Sequence, residues 1–109
     1  MTNLLQKKCI PCEGGAAALT RSEADALQKQ TPEWGISDDG KRITRKFKWK
    51  NFNETTAFFN KVAAIAEEEN HHPDFEVHWG SMNLTLWTHA IGGLSENDFI
   101  VAAKIDSLS

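Results

Sequence analysis

The sequence predicts an α+β fold, a four-stranded antiparallel sheet with helices packed on one face, in the order α-β-β-α-β-β-α. Three observations carry this. Apolar and polar residues alternate with period two in "GKRITRKFKW" and again on both sides of Gly80. Between them, "NFNETTAFFNKVAAIAEEEN" spaces its apolar residues at helical intervals. Capping signals before the first hairpin and after the second mark two further helices.

Residues 1–19 read as an extension, in which Gly14-Gly15 forms a turn before a short alanine run, and residues 20–109 read as one domain. "TRSE" is a capping box: Thr20 bonds early amides and Glu23 reaches back. Ala24 and Leu27 supply a modest apolar stripe, and Thr31-Pro32 ends the helix. In the first hairpin Asp39-Gly40 is a favoured tight-turn pair. Ile43, Phe47 and Trp49 share one strand face, opposite Arg42, Thr44, Lys46 and Lys48.

The long helix takes Asn53 as its N-cap and carries Phe58, Val62 and Ile65 on one side. Pro73 stops it, because the residue before a proline avoids helical torsions. In the second hairpin Phe75, Val77 and Trp79 alternate with Glu76 and His78, Gly80-Ser81 turns the chain, and Met82, Leu84 and Leu86 return. After Gly92-Gly93, Ser95 and Asp98 form the aspartate version of a capping box, opening a helix with Phe99, Ala102, Ala103 and Ile105.

With 40% hydrophobic and 25% charged residues, the chain has an ordinary globular composition, and its net charge of -3 gives no pull towards nucleic acid or anionic membranes. No run approaches the roughly 18 apolar residues of a membrane span. "MTNLLQKKCIPC" lacks the apolar core of a secretory signal, so the expected location is cytoplasmic.

The chemistry concentrates in "AEEENHHPDF". A turn centred between Gly80 and Ser81 sets His72 opposite His89 across the open end of the hairpin, with His71 beside them. Glu67 precedes His71 by one helical turn, so its carboxylate can orient that imidazole. Three readings are open: a metal site, acid–base catalysis, or exposed polar residues at a helix end. Adjacent histidines point apart unless the backbone turns sharply, which makes shared metal ligation awkward. Imidazole gives and takes protons near neutrality, so grouped imidazoles beside a carboxylate favour acid–base chemistry.

"E...HHP" at 67–73, "THAIGGLSENDF" at 88–99 and the step between their histidines together resemble the pterin-4a-carbinolamine dehydratases. The similarity extends to "EW" before the first hairpin, to "FKWKNFN" and to Trp79, and covers residues 20–108. The resemblance implies the fold already described, a homodimer or homotetramer, and no metal or organic cofactor. It implies dehydration of 4a-hydroxytetrahydropterin to quinonoid dihydropterin, which recycles the cofactor of aromatic amino acid hydroxylases. His71 and His89 would then exchange protons while His72 binds and orients the ring, with Glu67, Asn70, Trp34, Thr88 and Asp98 as substrate-binding or supporting residues. Asp98 has the competing reading of a helix cap, and Trp34 that of hairpin core. The alternative function on the same fold is a non-catalytic dimerisation cofactor or assembly protein.

Two other features are set aside. Cys9 and Cys12 have C-x-x-C spacing, but they make only half a structural zinc site and are read as reduced thiols. "KRITRKFKWK" interleaves basic and aromatic residues, yet Phe47 and Trp49 share the apolar parity of Ile43 and are expected in the core rather than on bases.

Overall fold

Thr20 opens the first helix as its sequence indicates: its hydroxyl accepts the Glu23 N–H at 3.2 Å, and the Glu23 carboxylate accepts the Thr20 N–H at 2.8 Å. The computed structural model describes residues 3–9 and 17–108; the Gly14-Gly15 turn and Cys12 lie outside the described residues. A 3₁₀ turn at Leu4–Gln6 precedes α1 (Arg21–Gln28), β1 (Gly35–Ile36), β2 (Ile43–Lys48), α2 (Phe52–Glu69), β3 (Asp74–His78) and β4 (Ser81–Leu86). A second 3₁₀ turn at His89–Ile91 leads to α3 (Glu96–Asp106).

The four strands are antiparallel in the order β1-β2-β4-β3, so two hairpins join through a central β2–β4 pair. Alternation puts Ile43, Phe47, Met82, Leu84 and Leu86 under the helices and leaves Thr44, Lys46 and Lys48 exposed. Val62 and Ala66 of α2, with Phe99, Ile100, Val101, Ala102 and Ile105 of α3, complete the core. α3 is buried almost all round because α1, α2 and the Leu4–Gln6 turn all pack on it; a one-sided stripe of Phe99, Ala102, Ala103 and Ile105 understates this.

Three local expectations are corrected. The N-cap of α2 is Asn51, whose side chain accepts the Glu54 N–H at 2.8 Å; Asn53 already lies inside the first turn. Thr55 anchors this earlier start, its hydroxyl bonded to both the Asn51 and Trp79 carbonyls. In the first hairpin the strands are joined by a longer loop, where Ser37 O accepts the Gly40 N–H at 2.8 Å and Gly40 takes φ +72°. The second hairpin turns at Trp79-Gly80, one residue earlier than expected, with His78 paired to Ser81. The ladder ends at Asp74–Thr85, so no strand pairing sets His72 against His89.

Candidate active site

The site begins at the end of α2. Asn70 adopts a left-handed conformation (φ 52°, ψ 41°), which asparagine tolerates better than most residues. Its N–H bonds to Glu67 O, and the His71 N–H reaches back to Ala66 O at 3.1 Å, a Schellman closure that satisfies the last helical carbonyls. This reversal turns His71 away from the helix axis. Glu67 therefore does not meet His71; it pairs with His72, Oε1 to Nε2 at 2.7 Å, on the exposed rim.

His71 instead meets α3. Its Nε2 lies 2.6 Å from Asp98 Oδ1, with the imidazole side chain 13% exposed and the carboxylate fully buried. Asp98 Oδ2 accepts the Ser95 N–H and the Thr88 hydroxyl, each at 2.9 Å. Asp98 thus caps α3 and contacts His71 with the same carboxylate. The Thr88 hydroxyl also lies 2.7 Å from Ser95 Oγ, and Thr88 pairs through its backbone with Gly93.

His89 arrives from the 3₁₀ turn after β4. Its ring stacks on Trp87 with centroids 3.9 Å apart, and the Arg42 guanidinium covers the same indole at 4.5 Å. Trp87 Nε1 donates to Asp74 Oδ2 at 3.2 Å, fixing the indole against the start of β3.

Asn70, His71, His72, Pro73, Asp74, Trp87, Thr88 and His89 line one open cleft of about 710 Å³. The structure thus brings together His71, His72, His89, Asn70 and Thr88, with Asp98 directly behind His71. Glu67 reaches the cleft only through His72. Trp34 does not reach it. That side chain is fully buried against Phe47, and its indole N–H donates to Asp106 at 2.8 Å, so the reading of Trp34 as a pocket residue gives way to hairpin core. Among the described residues, no group of three His, Cys, Asp or Glu side chains is placed to hold a metal ion.

The cleft residues not singled out from sequence include Trp87, Asn97 and Cys9. Trp87 had a signal, since strand parity puts it with Thr85 on the solvent side of β4, an uneconomical place for an indole. Cys9 had none, because its position depends on long-range packing of the N-terminal segment. Burial, and then the Glu69 and Asp98 carboxylates, push its thiol up to about 12, so it is protonated at neutral pH. Burial opposes the charge on Glu69, but the Cys9 N–H and Lys104 hold its carboxyl below the usual glutamate range.

An antiparallel sheet backed by three helices, with three imidazoles lining a cleft beside Trp87 and a buried aspartate behind one of them, defines a small α+β protein with a histidine-rich cleft. The model of the pterin 4 alpha carbinolamine dehydratase family matches residues 17–108, and the chain belongs to that family. A Rickettsia canadensis relative provisionally named pterin-4-alpha-carbinolamine dehydratase is 50% identical over 108 residues, 98% of each chain. Among solved structures, a transcriptional coactivator/pterin dehydratase from Brucella melitensis superposes with a TM-score of 0.79 at 32% identity, over 84% of this chain and 97% of its own. A pterin dehydratase-like protein described as a RuBisCO assembly factor in the alpha-carboxysome gives 0.61 at 26% identity, over 70% of this chain and 88% of its own.

Proposed function

We propose that this protein dehydrates 4a-hydroxytetrahydropterin to quinonoid dihydropterin in a cytoplasmic pterin-recycling step, using histidine acid–base chemistry without a metal. The reaction breaks the C4a–OH bond, releases water, removes the N5 proton and leaves a C4a=N5 double bond. One group must protonate the departing hydroxyl and another must accept the N5 proton. The observation that carries the reading is the His71–Asp98 contact at 2.6 Å on the wall of a cleft shared with His72 and His89. With Nε2 engaged by Asp98, Nδ1 of His71 is the nitrogen left to exchange a proton with substrate. His89, stacked on Trp87, is the proton-exchange partner, and His72 orients the ring from the rim. Acid–base assistance of this kind contributes roughly 10²–10⁴-fold, which suits a substrate already activated by nitrogen lone pairs.

The protein acts as a homodimer or homotetramer. Supporting this, Val77 and Trp79 are 41% and 70% exposed on and beside the edge strand β3, an apolar border suited to burial against a second copy. The rival reading, a protein-binding scaffold without catalysis, draws on the neighbour described as an assembly factor. Stopped-flow dehydration of synthetic 4a-hydroxytetrahydropterin separates the two. The enzyme reading expects wild type to exceed the spontaneous rate, His71→Ala and His89→Ala to lose about 10²-fold or more in kcat, and His72→Ala to act mainly on KM. A folded wild type that leaves the spontaneous rate unchanged defeats it.

A further inference from the structure

We infer that residues 3–9, which precede the part of the chain matched by the family model, form a strap that holds His71 and Asp98 in register, with Lys7 as a positioning residue. This rests on the proposed dehydration at the same cleft.

The strap is built into the fold. Leu4 is 1% exposed within the main core, and its N–H donates to Gln30 Oε1 at 3.1 Å. From that anchor the chain runs across the two helix ends that present the site. Lys7 Nζ contacts both carboxylate oxygens of Glu96 at 2.8 Å, and Glu96 is the first residue of α3, two before Asp98. The Cys9 N–H donates to Glu69 Oε1 at 2.8 Å, and Glu69 is the last residue of α2, two before His71. Glu69 Oε2 lies 3.2 Å from Lys104 Nζ on α3, and Cys9 Sγ donates to Asn97 O at 3.6 Å. Seven residues therefore tie the C-terminal end of α2 to the first turn of α3, and Cys9 ends up in the cleft wall.

The coupling follows from geometry and charge. Neither His71 nor Asp98 belongs to the sheet, so their 2.6 Å contact is set by the separation of those two helix ends. Glu69, Glu96 and Asp98 also gather three carboxylates in this region, and Lys7 and Lys104 offset their repulsion. Losing Lys7 removes both a tie and a counter-charge, and an error of about 1 Å in placing a catalytic group can cost on the order of 10²-fold.

The test compares full-length wild type with Lys7→Met, Lys7→Arg and Glu96→Gln. Each is measured for kcat, KM and Tm, and for the far-downfield ring N–H proton resonance of the His71–Asp98 hydrogen bond, assigned by its disappearance in His71→Gln. Lys7→Met and Glu96→Gln are each expected to lower kcat by about tenfold with KM within twofold, and to shift or broaden that resonance. Lys7→Arg, whose guanidinium can bridge the same two oxygens, restores both. Wild-type kcat and an unmoved resonance in Lys7→Met and Glu96→Gln overturn the inference, as does a Lys7→Arg variant as impaired as Lys7→Met. If wild type does not dehydrate the substrate, the functional reading falls and the resonance alone decides the strap: displaced upholds it, unmoved rejects it.

Discussion

Replacing Asp98 with asparagine probes the site where fold and chemistry share one carboxylate. The substitution preserves shape and removes charge. Asp98 accepts from the Ser95 N–H and the Thr88 hydroxyl through Oδ2 and meets His71 through Oδ1. An asparagine carbonyl can keep the first two bonds, which leaves its NH₂ group facing His71 Nε2. A hydrogen bond to a charged partner is worth roughly 1.5–3 kcal/mol against about 1 kcal/mol for a neutral one. On the proposed mechanism the transition state therefore loses about 1–2 kcal/mol of support, which converts to roughly a 5–30-fold fall in kcat. Weakening the two bonds that cap α3 and tether Thr88 costs a further ~1–3 kcal/mol of folding free energy. For a domain of this size that lowers Tm by about 5–15 °C. Stopped-flow dehydration and thermal unfolding by circular dichroism measure the two effects separately. On the proposed mechanism Asp98 acts through His71, so Asp98→Asn should reduce kcat by less than about threefold in a His71→Ala background, the two residues being coupled. Undiminished turnover in the single variant, or equal losses with and without His71, would refute the reasoning.

Three further outcomes are expected. Trp34→Phe keeps the buried ring but loses the bond to Asp106; Tm should drop by an amount equivalent to about 1–3 kcal/mol while kcat/KM stays within twofold, and a rise in KM would return Trp34 to the binding site. Glu69 has a lowered folded pKa, so its ionised form stabilises the native state above the unfolded value near ~4.3, and that stabilisation is lost as pH falls through the folded value. The Tm difference between wild type and Glu69→Gln should accordingly be full at neutral pH and narrow below about pH 4; a difference that grows on acidification contradicts the assignment. With its thiol near 12, Cys9 has a thiolate fraction of only about 10⁻⁴ at pH 8, so a Cys12→Ser variant should react with iodoacetamide far more slowly when folded than when unfolded in urea. Equal rates would show the thiol to be exposed and ordinary.

The fold was legible because the sheet buries one face. Ile43 and Phe47, and Met82, Leu84 and Leu86, mark strands by alternation, and Thr20 with Glu23 marks a helix start without reference to anything distant. α3 was less legible since burial on nearly every side erases periodicity. The register of the second hairpin could not be read locally. Gly80 suits either turn, and the choice rests on its neighbour across the fold: the Trp49 N–H donates to Gly80 O at 2.8 Å, and the Trp49 carbonyl lies so close that a Cβ added to Gly80 would be 2.9 Å from it. The site residues were visible as residue types, but their partners were not. Pairing Glu67 with His71 assumes helix geometry through residue 71, and the left-handed Asn70 breaks that assumption. The stack of Arg42, Trp87 and His89 joins two hairpins, and Cys9 reaches the cleft by packing of a segment far away in sequence.

The most direct measurement is a titration of the ¹³C/¹⁵N-labelled protein with a non-reacting dihydropterin, following the histidine ring resonances by NMR. His78, paired with Glu76 at 2.9 Å and outside the cleft, serves as the internal reference. If a single flat heterocycle sits among the imidazoles, His71, His72 and His89 shift together along one saturable isotherm while His78 stays still. Saturable binding that moves none of the three, or moves His78 alone, would contradict it.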